Sequence, residues 1–309
     1  MKVSGTIIAS FFLIGAFLTS CSTTNKQQSL ESAKFPAFDA ESHRGGRGVM
    51  PENTTPAMLY SLSLDGITTL EMDVKATADG KLVLSHDDYL NPWFTRKPNG
   101  EDLREEEKKH YPIMQMTYDE LQQFDVGLKA HHLFPNQRKM KASIPLLEDV
   151  IDSVQRFIEI EGREQVFYNI EIKSSEEGDH KYNPIPEEFV NLLMEVIEKK
   201  DITPYVIVQS ADVRTLRVLK EKYPHVRNSY LVGARRKDFT VEEDLEVLGF
   251  QPDIYSPNFK YITLDDVQKC QDMGMKVVVW TPNTKTEIEE LKAMGVDGII
   301  TDYPELLFD

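Results

Sequence analysis

The chain has 309 residues, with 51 Asp and Glu against 35 Lys and Arg and a formal net charge of −16. At 40% hydrophobic and 28% charged residues it has the composition of a globular protein with a substantial core, not of a disordered, collagen-like or disulfide-dense chain. So large an acidic excess repels nucleic-acid backbones and anionic headgroups at long range, so any anionic ligand must be held by locally placed cations or a metal.

Lys2 precedes an apolar run from Ile7 to Leu18 that ends in Leu18-Thr19-Ser20-Cys21. The run is too short for a hydrocarbon core of ~30 Å, which takes about 20 apolar residues, and has the three regions of an export signal. The four residues ending in Cys21 resemble the bacterial lipobox, in which the cysteine is acylated and becomes the first mature residue. Residues 1–20 are therefore expected to be a lipoprotein signal peptide, Cys21 the lipid anchor and residues 21–37 a polar tether. That places the protein in the bacterial envelope, touching membrane only through its lipid. The other cysteine, Cys270, sits in a helical pattern and reads as a small buried residue.

From Phe38 onward strand-like runs alternate with amphipathic stretches. The strand candidates are Phe38 to His43, Thr69 to Val74, Val166 to Ile172, Tyr205 to Gln209, Asn228 to Val232, Asp253 to Ser256, Lys276 to Trp280 and Gly298 to Thr301. Helical patterns between them include Glu187 to Lys199, Val213 to Lys222, Leu264 to Met273 and Lys285 to Met294, with Gly274 and Gly295 as stops. Eight such units predict an α/β fold, a (β/α)8 TIM barrel over residues 38–309, a length that fits one barrel of ~250 residues plus an insertion. A doubly wound open sheet is the competing architecture. The insertion, at about 91–141 between barrel strands 2 and 3, is polar and mixed. It is expected to form a small subdomain over the C-terminal end of the barrel, where barrel enzymes carry their chemistry.

Glu71 and Asp73 are two apart on a strand, so both carboxylates point to the barrel interior, and Glu171 and Lys173 repeat the device. Three inward carboxylates without a cation repel one another and resist desolvation, whereas together they make an all-oxygen site for Mg2+ or Ca2+. His43 closes the first strand candidate and His86 follows the short run Leu82-Val83-Leu84. Two histidines beside one metal permit separate general acid and general base, and Arg44 and Lys173 are placed to hold the non-bridging oxygens of an anion. This combination suits phosphodiester cleavage, and monoester hydrolysis would satisfy much of it too. The His131-His132 pair reads as part of a solvated loop.

The strings His43-Arg44-Gly45, Pro51-Glu52-Asn53-Thr54, Glu71-Met72-Asp73-Val74, Thr77-Ala78-Asp79-Gly80 and His86-Asp87 resemble the N-terminal signature of the glycerophosphodiester phosphodiesterase family. Glu171-Ile172-Lys173, Val208-Gln209-Ser210, Val279-Trp280-Thr281-Pro282-Asn283 and Thr301-Asp302-Tyr303-Pro304 follow in the family's order. The resemblance implies hydrolysis of small-molecule glycerophosphodiesters to sn-glycerol 3-phosphate and an alcohol, with one divalent cation. It puts the catalytic histidines at His43 and His86, the metal carboxylates at Glu71, Asp73 and Glu171, the phosphate contacts at Arg44 and Lys173, and a pocket-lining aromatic at Trp280. Leu90-Asn91-Pro92-Trp93-Phe94-Thr95-Arg96 departs from the family's pattern after the His-Asp motif, which leaves headgroup preference open. Two rivals are a barrel glycosidase using Glu71 and Glu171 and a non-catalytic envelope binding protein.

Overall fold

Eight parallel strands and their helices close into a barrel in the computed structural model, which describes residues 1–2, 33–233 and 240–308. The export signal and Cys21 lie outside the described residues. The chain order is β1 (Asp39–Ser42), α1 (Thr55–Leu62), β2 (Thr69–Ala76), β3 (Leu82–Leu84), α2 (Tyr118–Leu121), α3 (Leu147–Glu161), β4 (Phe167–Ile172), α4 (Pro186–Lys199) and β5 (Val206–Ser210). It continues through α5 (Val213–Lys222), β6 (Arg227–Val232), α6 (Val241–Leu248), β7 (Ile254–Pro257), α7 (Leu264–Asp272), β8 (Lys276–Trp280), α8 (Lys285–Met294) and β9 (Gly298–Thr301). Pairing of β1 with both β2 and β9 closes the sheet, which excludes the open doubly wound alternative. All eight strand expectations are met. The short run around Val83 forms β3, antiparallel to β2 from Val74↔Leu84 to Ala76↔Leu82.

Strand alternation sorts side chains to two destinations. Outward residues such as Leu70, Met72, Val74, Ile170, Ile172 and Val208 pack with Met58 and Leu62 of α1, Val150 and Ile151 of α3 and Phe189 and Leu193 of α4. Each such side chain contributes about 1.5–3 kcal/mol by leaving water. Cys270 is buried in the corresponding cluster under α7, as its helical context implied. Inward residues form an apolar group of Phe167, Ile207, Ile254, Val278 and Ile300. Ala33 and Phe35 join that group, and the Ala33 N–H donates to Pro204 O just before β5, so the chain enters at the strands' N-terminal end, opposite the carboxylates.

The segment between β3 and α3 has its own core of Leu90, Leu103, Ile113, Met116, Leu121, Phe124 and Val126, packed on Val83 and Ile144. The chain thus buries apolar surface locally rather than extending the barrel. Arg138 N–H donates to Val49 O and the Gln137 amide to Arg47 O, both at 2.7–2.8 Å, which fastens the insertion to the loop after β1.

That loop depends on Gly45, which has φ +75° and lies against the first turn of α1; an added Cβ would stand 2.7 Å from Ala57 Cβ and 2.8 Å from the Ala57 carbonyl carbon. Gly45→Ala is expected to lower stability by about 2–4 kcal/mol, combining left-handed strain with overpacking, and to be read by urea denaturation.

Candidate active site

The mouth of the barrel is built from strand ends. β2 carries Glu71, Asp73 and Lys75 inward, and the register sets Asp73 beside Glu171 on β4 and Glu171 beside Gln209 on β5. Glu71, Asp73 and Glu171 each offer an oxygen within 4.8 Å of the others, all three residues being buried. Oxygens on opposite sides of a Ca2+ ion at 2.3–2.6 Å lie about 4.6–5.2 Å apart, so one ion can reach all three.

The loop after β1 supplies the opposing charge. Arg44, in the left-handed region at φ 51°, sends Nη1 to Glu52 at 2.8 Å and Nε to Asp73 at 3.1 Å. Its backbone N–H donates to Glu71 Oε2 at 2.8 Å. Asn53 donates to Asp73 Oδ2 at 2.8 Å. Lys173 Nζ meets Glu171 Oε1 at 2.7 Å. Burial raises the pKa of Asp73, but Arg44, His86 and Lys173 outweigh it and hold the carboxyl well below the usual carboxylate range. Glu71 goes the other way, raised by burial and by the charges of Asp73 and Glu171; burial also raises Glu171 despite Lys173. Asp73 Oδ1 is buried without a hydrogen-bond partner among the described residues. Two carboxyls pushed toward neutrality and one orphaned oxygen fit a hard divalent cation, which reverses both costs.

His43 Nδ1 lies 2.5 Å from Asp302 Oδ1, and Asp302 also accepts from Arg47 Nε at 2.7 Å and from the Asn283 amide at 2.7 Å. Burial raises the Asp302 pKa, but His43 and Arg47 lower it further, so Asp302 is an anion that accepts a hydrogen bond from Nδ1–H. Nε2 is then the lone-pair nitrogen, 4.0 Å from Glu71 Oε2. Burial outweighs Asp302 and lowers the His43 pKa to about 4. His86 repeats the pattern near the surface, its Nδ1 3.0 Å from Asp87 Oδ1.

His43, Arg44, Glu71, His86, Glu171, Lys173 and Trp280 line one cavity of about 170 Å3. Asp73 lies behind it, bonded to Arg44. The Trp280 indole is pinned by Nε1–H donating to Ser256 O at 3.0 Å and presents its ring to that cavity. Arg44, Arg47 and His86 also line a second, larger cavity of about 530 Å3, completed by Asp87, Tyr89, Trp93, Glu105, Lys108 and His131 from the β3 loop and insertion. His131 corrects the sequence reading. It is 3% exposed, stacked on Phe94 and edge-on to Trp93, because the insertion core draws the ring inward; its neighbour His132 stays at the surface. Sequence reasoning assigned no role to Asp302, Asn283, Glu52, Asn53, Gln209 or Lys75. Five of these lie in the strings that carry the resemblance, but apart from Glu52, which pairs with nearby Arg44, their partners come from other strings. Lys75 had only its inward register as a signal; it bonds Asp88 and the Lys173 carbonyl.

Residues 43–306 match the model of the glycerophosphoryl diester phosphodiesterase family. A glycerophosphodiester phosphodiesterase of Caldanaerobacter subterraneus is 31% identical over 86% of this chain and 95% of its own length. A Silicibacter pomeroyi protein described as a glycerophosphoryl diester phosphodiesterase superposes with a TM-score of 0.78 at 27% identity, covering 91% of this chain and 94% of its own. An Oleispira antarctica phosphodiesterase, solved with its product sn-glycerol 3-phosphate, has the same fold, with a TM-score of 0.67 at 24% identity over 88% of this chain and 95% of its own. The chain therefore belongs to the glycerophosphoryl diester phosphodiesterase family and is a phosphoric diester hydrolase.

Proposed function

We propose that the protein cleaves glycerophosphodiesters to sn-glycerol 3-phosphate and an alcohol, with His43 as general base, His86 as general acid, and one Ca2+ or Mg2+ held by Glu71, Asp73 and Glu171. The observation that carries this reading is a cluster of three buried carboxylates of which Glu71 and Glu171 line one pocket together with two carboxylate-backed histidines. The product bound to the Oleispira relative supports the same outcome. Nothing in the pocket favours the glycosidase or the non-catalytic reading.

The phosphate lies between Lys173 and Arg44, whose cationic groups border the smaller cavity. A bound cation would polarise the phosphoryl oxygens and offset the negative charge that builds in the transition state. His43 Nε2 takes the proton of the attacking oxygen, and Asp302 holds the resulting imidazolium through Nδ1–H. His86, on the wall common to both cavities, returns a proton to the departing alkoxide. The alcohol portion then occupies the larger cavity beside Trp93 and His131. Trp280 gives the bound substrate a fixed flat wall.

Export and acylation at Cys21 complete the proposal. The apolar run and the small residues before Cys21 support it, and no helix among the described residues is long and apolar enough to cross a membrane. Radiolabelled palmitate should enter the wild-type protein and not Cys21→Ala; equal labelling removes the anchor.

Chelation by EDTA is expected to abolish hydrolysis of glycerophosphocholine, with recovery on adding Ca2+ or Mg2+; full activity in EDTA would remove the cation from the reaction. His43→Ala and His86→Ala should each lower kcat by about 10²–10⁴-fold on glycerophosphocholine. With a p-nitrophenol leaving group, which needs no proton, only His43→Ala should stay impaired; equal losses on both substrates would overturn the division of roles. A base works unprotonated, and His43 keeps its neutral form down to about pH 4. The base limb of kcat/KM should therefore hold as pH falls from about 7 to about 5. An acid limb at the ordinary imidazole value, ~6.5, counts against His43.

A further inference from the structure

Beneath the carboxylates the barrel interior carries a line of polar side chains that the proposed chemistry does not use. Asp39 and Glu41 on β1, Asn169 on β4 and Gln209 on β5 are each at most 1% exposed. Barrel interiors are ordinarily filled by Val, Ile and Leu, and an unsatisfied buried polar group costs about 1–3 kcal/mol. The bonds among these residues diverge from Asn169, and one branch runs to the carboxylates. Asn169 Nδ2 donates to Glu41 Oε2 at 2.7 Å and to Gln209 Oε1 at 3.3 Å. Gln209 Nε2 donates in turn to Glu71 Oε1 at 3.0 Å, reaching over β4 from β5 to β2.

A side-chain amide accepts at one end and donates at the other. With its oxygen occupied by Asn169, Gln209 must aim its NH2 group at Glu71. The far end of the line is held as well. Burial and the charge of the neighbouring Asp39 push the Glu41 carboxyl toward its neutral form, while its Oε2 accepts from Asn169. Asp39 is fixed by Thr69 at 2.5 Å and Thr68 at 2.8 Å.

We infer that Asn169, acting through Gln209, is a positioning residue that sets the Glu71 carboxylate for the divalent cation. The inference rests on the metal reading above and adds to it a second layer of side chains. Without Asn169, Gln209 is free to turn its oxygen toward Glu71, bringing two acceptors together and rotating the carboxylate away. Partners of this kind, one step removed from a metal, typically change affinity by about 10–100-fold.

Calorimetric titration of Mg2+ and Ca2+ into the purified protein, beside circular dichroism melts, tests the assignment. Asn169→Leu, close in volume, is expected to bind the cation about 10–100-fold more weakly while keeping the wild-type spectrum, and to regain most of its kcat at saturating metal. Asn169→Ala removes the donor without adding a titratable group and should show the same loss, so it serves if the leucine variant does not fold. Ser229→Ala, in the same interior and with no hydrogen-bond partner for its hydroxyl among the described residues, should keep wild-type affinity. A folded Asn169 variant with wild-type metal affinity overturns the inference, as does an equal weakening in Ser229→Ala. Wild-type protein that binds neither cation instead overturns the metal reading beneath it.

Discussion

Three carboxylates held within 4.8 Å of one another inside a protein are an electrostatic liability, and the barrel mouth is organised around containing it. Burial and mutual repulsion both favour the neutral acid. Arg44 and Lys173 answer part of that cost through contacts of 2.7–3.1 Å. Their effect is uneven: Asp73 is held ionised, whereas Glu71 and Glu171 are pushed upward. This leaves a place where further positive charge is strongly favoured, next to a pocket that admits a small ligand. The chemistry proposed for the site follows from that imbalance.

The supporting shell is rigid because it comes from strands and tight turns rather than from long loops. Glu71, Asp73 and Glu171 sit on paired strands whose outward faces are locked under α1, α3 and α4. Arg44 and Asn53 accept left-handed backbone so that a guanidinium and an amide converge on Asp73 from one loop. Asp302 at the end of β9 reaches back to His43 at the end of β1, and the barrel's closure places them together. Such strain persists only where surrounding contacts over-determine it.

The net charge of −16 and a phosphodiester substrate are compatible because they act over different distances. Screening confines the field of surface carboxylates to about 8–10 Å at ordinary ionic strength, while Arg44 and Lys173 act within the pocket. The insertion contributes on the same local scale. Its own apolar core draws His131 inward and sets Trp93 at the rim, so this part of the chain shapes the larger cavity without contributing to the barrel sheet.

The barrel was legible in the sequence because its signal is local: each strand shows a short apolar run, and four of the helices an amphipathic stretch, two of them closed by Gly274 and Gly295. The inward carboxylates were legible for the same reason, since a period of two fixes their common face. The pairing of His43 with Asp302, separated by 259 positions, could not be read along the chain. Nor could the line from Glu41 through Asn169 and Gln209 to Glu71, or the burial of His131, whose local sequence suggests a solvated loop. Strand identity and facing are set by near neighbours, so the sequence by itself determined the architecture and the chemical types at its mouth. Which side chain bonds which depends on the stagger of the closed sheet and the docking of the insertion. Only the tertiary structure decided those contacts.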